Sequence, residues 1–322
     1  MVHQKEPVVF VNGDLVPESE AVVSVFDRGF RWGDGVYEMA RTFGGRVFKL
    51  KEHLERLRWS LNYTHIDPGL SMEELERATL ELVDRNLGPG GPEVEDVGVT
   101  HIISRGPMDP TRKAPSKPTV VIYTEPLAFG MYARWYAQGV KMITPATRRT
   151  PPQSLSPKAK ISNKMNHFVA QFEAQAIDPD ALPLMLDYDG NVAESSGANF
   201  FFLAQGRIHV PNRRHVLGGI SMDTVLEVAQ EMGIETLEGD YTPFDVYKAE
   251  EAFLTSTPWS MAPVVSLNGL KIGQGIPGPV FHQLIQAWSE RVGIDIVDQA
   301  MAYLQPQERE ELVASTPSAP SL

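Results

Sequence analysis

Five short stretches carry residue types that could do chemistry. Ser156-Pro-Lys158-Ala-Lys160-Ile-Ser-Asn163 stands ahead of a helical pattern at Met165, Phe168, Val169, Phe172 and Ala176. Lys160 is there either a solvated residue at a helix start or a buried amine able to condense with a carbonyl as a Schiff base. Asn191-Val-Ala-Glu194-Ser195-Ser-Gly-Ala-Asn199 leads into the apolar run Phe200–Leu203. A carboxylate in that setting is a turn residue or the buried partner of a cation. Leu217-Gly-Gly219-Ile220-Ser221 opens another helical pattern, at Val225, Val228, Ala229 and Met232. Free amides and a hydroxyl at a helix N-terminus attract an anion, and an ordinary N-cap is the plainer reading. Leu254-Thr-Ser256-Thr257-Pro258-Trp259 places hydroxyls at the end of a strand. The front stretch, Asp27-Arg-Gly-Phe-Arg-Trp32-Gly-Asp-Gly-Val-Tyr37-Glu38 followed by Met39-Ala-Arg41-Thr-Phe43, is either a glycine-rich turn with capping aspartates or a functional loop running into a strand.

The elements that must hold these stretches follow from periodicity. Residues 7–11 read as a strand, Asn12-Gly13 as a hairpin turn, and Leu15–Val16 and Ala21–Phe26 as further strand. Leu50–Tyr63 is a helix with Leu54, Leu57, Leu61 and the stem of Arg58 on one face. Ser71 and Glu74 form a capping-box pattern before a helix ending near Asn86. Strands are expected at Val97–Ser104, Thr119–Thr124, 182–186, 198–204, 207–210, 251–255 and 262–266, with Asn268-Gly269 as another hairpin. The expected organisation is two α/β lobes: a small domain over 1–125, a linker over 126–138, a large domain over 139–304 and a flexible tail over 305–322.

The chain has 322 residues, 29 Lys+Arg against 41 Asp+Glu, a net charge of −12 and no cysteine. Disulfides, thiolate metal sites and a cysteine nucleophile are therefore excluded. The negative balance argues against nucleic acid and anionic membrane as partners. No apolar run reaches the ~20 residues of a membrane helix, and the start lacks the apolar stretch of a signal peptide, so a cytoplasmic enzyme or binding protein is expected. The scattered histidines show no metal-ligand spacing, and no metal is expected. Gly273-Gln-Gly-Ile-Pro-Gly278 matches a dinucleotide pattern. Pro277, however, sits where the phosphate-binding turn should meet its helix, and no strand–Gly–helix unit surrounds it; it reads as a loop before the last helix.

Together, in their order along the chain from Asp27 to Trp259, the five stretches resemble the class IV, fold type IV, pyridoxal-phosphate aminotransferases, the group of branched-chain and D-amino-acid aminotransferases and R-selective amine transaminases. The resemblance runs from about residue 8 to residue 295. It implies an α+β, two-domain fold: a small N-terminal lobe and a larger C-terminal lobe with a barrel-like β core and flanking helices. It implies that Lys160 is the catalytic lysine bearing pyridoxal 5′-phosphate, heading Lys160-x-x-Asn163 with Glu173-Ala174 beyond. Lys158 and Lys164 are its neighbouring rivals. Glu194 matches the acid that pairs with the pyridine nitrogen, with Ser195 beside it. Arg56, in His53-Leu-Glu-Arg56-Leu, matches the phosphate-binding arginine. Gly219, Ile220 and Ser221 match the phosphate-binding helix start, and Ser256 and Thr257 complete the cup.

The implied activity is ping-pong transamination between an amino acid or amine and a 2-oxo acid, by a homodimer or larger assembly whose active site lies near the interface. An aminodeoxychorismate-lyase type of elimination and a catalytically inactive cofactor-binding protein are the alternatives. Departures bear on the substrate. Ser162-Asn163-Lys164 replaces the Gly-Asn-Tyr of the branched-chain members. Pro258 follows Thr257 and has no N–H to grip a carboxylate. The Arg-x-His trap of the D-amino-acid enzymes is missing after Arg105-Gly106. Arg112 and Arg41 become candidate carboxylate clamps, and Trp32, Tyr37, Met39 and Trp259 candidate apolar walls. Such a pocket suits R-amines or D- and branched-chain amino acids.

Overall fold

The structure is a computed structural model that describes residues 6–88, 95–108 and 117–315. It divides into two units, one comprising residues up to Leu127 together with Ala159–Lys164, the other Ala128–Lys158 and the remainder.

The first unit contains strands β1 (Val8–Val11), β2 (Asp14–Pro17), β3 (Gly35–Phe43), β4 (Arg46–Val47), β5 (Val97–Ser104) and β6 (Thr119–Pro126), with helices α1 (Arg28–Trp32), α2 (Leu50–Thr64) and α3 (Met72–Leu87). The six strands form one sheet in the order β2-β1-β6-β5-β3-β4. The Asn12-Gly13 hairpin forms as expected, pairing Val11 with Asp14, with positive φ at both turn residues. Ala21–Phe26, expected as strand, is irregular. Asp27 ends it by capping α1, its carboxylate accepting from Gly29 N–H at 2.7 Å. The capping box at Ser71 and Glu74 is formed. Alternation puts Val36, Val99, Ile103, Val120 and Ile122 on one sheet face, against Leu54, Leu57 and Leu61 of α2 and Leu75 and Leu82 of α3. Each such burial contributes about 1.5–3 kcal/mol. Arg58 is exposed, so its stem does not join this face; His53 and Ser60 take the inward positions instead.

The second unit contains β7 (Val140–Ile143), β8 (Leu182–Pro183), β9 (Asn199–Ala204), β10 (Arg207–Pro211), β11 (Thr236–Gly239), β12 (Glu251–Ser256), β13 (Ser260–Leu267) and β14 (Leu270–Lys271). Its helices are α4 (Phe129–Gln138), α5 (Met165–Ile177), α6 (Ile220–Glu231), α7 (Pro243–Val246), α8 (Pro279–Val292), α9 (Ile296–Met301) and α10 (Pro306–Ser315). The strands make a mixed sheet, β11-β10-β9-β12-β13-β7-β8, with β14 beside β13. Two expectations change here. Most of the segment read as a linker is α4, which buries Phe129, Tyr132, Ala133 and Tyr136, so the chain divides at 127/128. The segment read as a flexible tail begins with a helix, α10. The glycine-rich stretch 273–278 is a loop before α8, as expected.

One core histidine couples fold to pH. His101 on β5 is fully buried opposite Glu38 on β3, with Nε2 2.8 Å from Thr79 Oγ1. The Thr79 hydroxyl donates to Leu75 O, so His101 donates from Nε2 as a neutral ring. Burial pushes His101 down to about 4. Between the unfolded value near 6.5 and that value the unfolded chain binds the extra proton. Stability is therefore complete above about pH 6.5 and falls on acidification by about 1.4 kcal/mol per pH unit. Urea unfolding midpoints should drop between pH 6.5 and 4.5, and His101→Gln should show a shallower slope.

Candidate active site

Lys160 is placed by an unsatisfied strand edge. β4 pairs only with Thr42 and Phe43, which leaves the first half of β3 without a partner on that side. Residues 160–162 fill the gap. Tyr37 N–H donates to Lys160 O at 3.0 Å, Ser162 N–H donates to Gly35 O at 2.9 Å, and Val36 bridges Ile161 antiparallel. Gly33 ends α1 at φ 68°, and a Cβ there would lie 3.2 Å from Asn163 Cα. Glycine is thus favoured by the left-handed conformation and by the close passage of the lysine segment. Lys160 N–H donates to Ser60 Oγ of α2 at 3.0 Å. Its ammonium stands 4.3 Å from the ring centroid of Tyr37. Burial pushes the Tyr37 phenol up, but Lys160 and Lys164 beside it outweigh that and hold it below the usual range. Of the two rivals, Lys158 is exposed and Lys164 half-buried.

Beneath this platform Glu38 is fully buried. Its carboxylate accepts from Arg56 Nε at 2.8 Å and Nη2 at 2.5 Å, and from Met39 N–H at 2.9 Å. His53 Nδ1 lies 3.0 Å away. Burial would raise the Glu38 carboxyl, but the Arg56 guanidinium and His53 hold it far below the usual carboxylate range. The bidentate pair fixes the plane of the Arg56 guanidinium.

Within the second unit, Glu194 is also buried and ionised. It accepts from Arg149 Nε at 2.7 Å and from Leu217 N–H at 2.9 Å, with His167 Nε2 3.9 Å off. Burial works to raise its carboxyl, but His167, Arg149 and the Leu217 amide bring it down to about 2. Asn199 Nδ2 donates to Leu217 O at 2.9 Å and so holds the approach to α6. That helix begins at Gly219 with no side-chain cap, and Ser221 in its first turn is buried. A Cβ at Gly219 would run into Asn199 Oδ1, so a side chain there would displace the amide that holds Leu217 O. Ser195 Oγ is buried with no protein partner.

The remaining sequence candidates separate. Ser256 donates from Oγ to Gly197 O at 2.8 Å, tying the end of β12 to the Glu194 loop. Thr257, Pro258 and Trp259 form the β12–β13 turn. Trp259 is buried edge-on against Trp135, with its carbonyl accepting from Tyr136 OH. Tyr37, Met39 and Arg41 alternate onto the face of β3 away from the helices. Arg41 is nonetheless buried, its Nε donating to Thr42 O and its guanidinium lying 4.0 Å from the Phe43 ring centroid. Trp32 is exposed. Arg112 lies outside the described residues. Among those residues no group of three or more His, Asp or Glu could hold a metal ion. Sequence reasoning missed Ser60, Arg149, Asn199 and the Arg56 partner Glu38. The only available signal was a charged or polar side chain within an apolar pattern, as at Glu38 and Ser60.

A family model for amino-transferase class IV matches residues 35–267, from the start of β3 to the end of β13. The chain belongs to the class IV aminotransferases. It is 33% identical over 299 residues to a putative branched-chain-amino-acid aminotransferase of Methanocaldococcus jannaschii, covering 90% of this chain and 99% of that one. It is 33% identical over 281 residues to a D-alanine aminotransferase of Bacillus licheniformis, covering 84% and 92%. Among solved structures, a branched-chain amino acid aminotransferase from T.th. with pyridoxamine 5′-phosphate superposes with TM-score 0.82 at 29% identity, covering 89% of this chain and 94% of that one. The fold is thus that of the branched-chain aminotransferases, and Lys160, Glu194 and the start of α6 all lie inside the matched region.

In this class IV aminotransferase the Arg149–Glu194 pair carries a testable energy. Removing one member of a buried pair leaves an uncompensated charge, at a cost of about 3–5 kcal/mol. Arg149→Met should lose stability in that range by urea unfolding. Arg149→Met combined with Glu194→Gln should lose clearly less than the two single losses added.

Proposed function

We propose that the chain is a transaminase using pyridoxal 5′-phosphate held by Lys160, with D- or branched-chain amino acids or R-amines as donors and a 2-oxo acid as acceptor. The observation that carries this is the pinned main chain of Lys160, with its ammonium beside the Tyr37 ring. The residues present fit the cofactor. Glu194 stays ionised although buried, as a partner for a protonated ring nitrogen requires. Gly219, Ile220 and Ser221 offer an uncapped helix start to a phosphate. Ser195 has an unspent buried hydroxyl. Arg56, oriented by Glu38, presents its guanidinium, and Ser256 and Thr257 complete the set. When bound, the cofactor supplies a sink for the electrons left at the donor Cα. Lys160 Nζ takes the Cα proton and returns it on the far side of the exchange. Tyr37 and Met39 wall the donor side, Trp32, Pro258 and Trp259 bound it, and Arg41 or Arg112 clamps a carboxylate.

Assembly belongs to the same proposal. The apolar stripe of α5 faces outward: Met165, Phe168 and Phe172 are exposed, while His167, Ala170 and Ala174 are inside. In the first unit Val22, Val25, Phe26 and Phe30 are exposed as well. Apolar patches of this kind are what a second copy would cover. We place the enzyme in the cytoplasm; among the described residues no helix is long and apolar enough to cross a membrane.

Purified enzyme should show a visible absorbance band that borohydride abolishes, and should exchange amine between donor and pyruvate or 2-oxoglutarate. Lys160→Ala should lower turnover at least a thousandfold and abolish the band. A panel of L- and D-amino acids and of R- and S-1-phenylethylamine reads the substrate class. Elimination without amine exchange would overturn the reading. Light scattering should give at least twice the monomer mass, and Phe168→Glu with Phe172→Glu should lower it.

A further inference from the structure

We propose that Ser60 is a positioning residue for Lys160, acting through the lysine main chain. Ser60 is fully buried in α2, one turn beyond Arg56. Its hydroxyl donates to Arg56 O at 3.0 Å, and its oxygen accepts from Lys160 N–H at 3.0 Å. With the hydroxyl proton spent on Arg56 O, the lone pairs are what Lys160 meets. Bonding back to the preceding turn does a helix little good and often bends it. The second bond, to a residue 100 positions away, is the one that an alanine could not make.

The geometry forms a closed frame. Arg56 and Glu38 tie α2 to β3, Tyr37 N–H ties β3 to Lys160 O, and Ser60 ties Lys160 N–H back to α2. The two peptide groups flanking the Lys160 Cα are therefore held from opposite sides, and only side-chain torsions remain to aim Nζ. Without the Ser60 hydroxyl, the partly buried Lys160 N–H loses its acceptor and the Cα is held on one side alone. Ordering of the amine before it reacts is what preorganisation contributes.

The inference rests on the reading that Lys160 carries the cofactor, and the test separates the two. Pyridoxal phosphate has an aldehyde with which the Lys160 amine can condense, releasing water; pyridoxamine phosphate has an amine there and cannot. Apoprotein is titrated with each compound, followed by absorbance and by quenching of tryptophan fluorescence. Wild type should bind the aldehyde form more tightly, and Lys160→Ala should erase that preference; if it does not, the reading of Lys160 fails whatever Ser60 does. Ser60→Ala should weaken the aldehyde form at least fivefold and leave the amine form within twofold. Equal weakening of both forms, or of neither, would overturn the positioning role. Should Ser60→Ala fail to fold, amide hydrogen exchange on wild type decides: Lys160 N–H should be protected about as well as Tyr37 N–H, and exchange at the free-peptide rate would sink the proposal.

Discussion

A strand edge that must not be left open governs the first unit. The β3 backbone between Gly35 and Tyr37 has no neighbouring strand on one side, and an unpaired buried amide or carbonyl is costly. Residues 160–162 satisfy it, although they lie far along the chain from β3. The pairing that completes the sheet is the pairing that positions the lysine. Glycine at 33 and at 35 makes room, since a Cβ at either would press on Asn163 or on Ile103 O.

Charge burial is handled the same way in both units. Glu38 and Glu194 are each almost fully buried, and each meets an arginine, a histidine and a main-chain N–H. A buried carboxylate without such partners would take up a proton. With them, each stays ionised against the pull of burial. The consequences differ. Glu38 spends its charge on orienting Arg56. Glu194 spends its charge on Arg149 and on the Leu217 amide, in the turn that precedes α6.

Much of the fold, and the turns that frame the candidate site, was legible because short-range rules govern them. The hairpin at Asn12-Gly13, the capping box at Ser71 and Glu74, the helix start at Gly219 and the Thr257 turn are each set by a few adjacent residues. The α5 stripe shows the limit. Its period was right, yet Ala170 and Ala174 face inward and Phe168 and Phe172 face outward. Periodicity reports that a helix has an apolar face, not what covers it. Arg41 is similar: strand alternation places it on the Tyr37 side of β3, while its burial under Phe43 depends on packing.

The amino-acid order alone carried the family pattern, most of the strands and helices, and a short set of candidate lysines and carboxylates. Residue type, spacing and turn preference act locally, and they survive without a fold. Only the tertiary structure decided that Lys160 rather than Lys158 is pinned to β3, that Ser60 meets Lys160, and that Arg149 answers Glu194. The last two contacts join residues 100 and 45 positions apart. Hydrogen-bond demand and charge compensation select such partners once the chain has collapsed, and no local pattern encodes them.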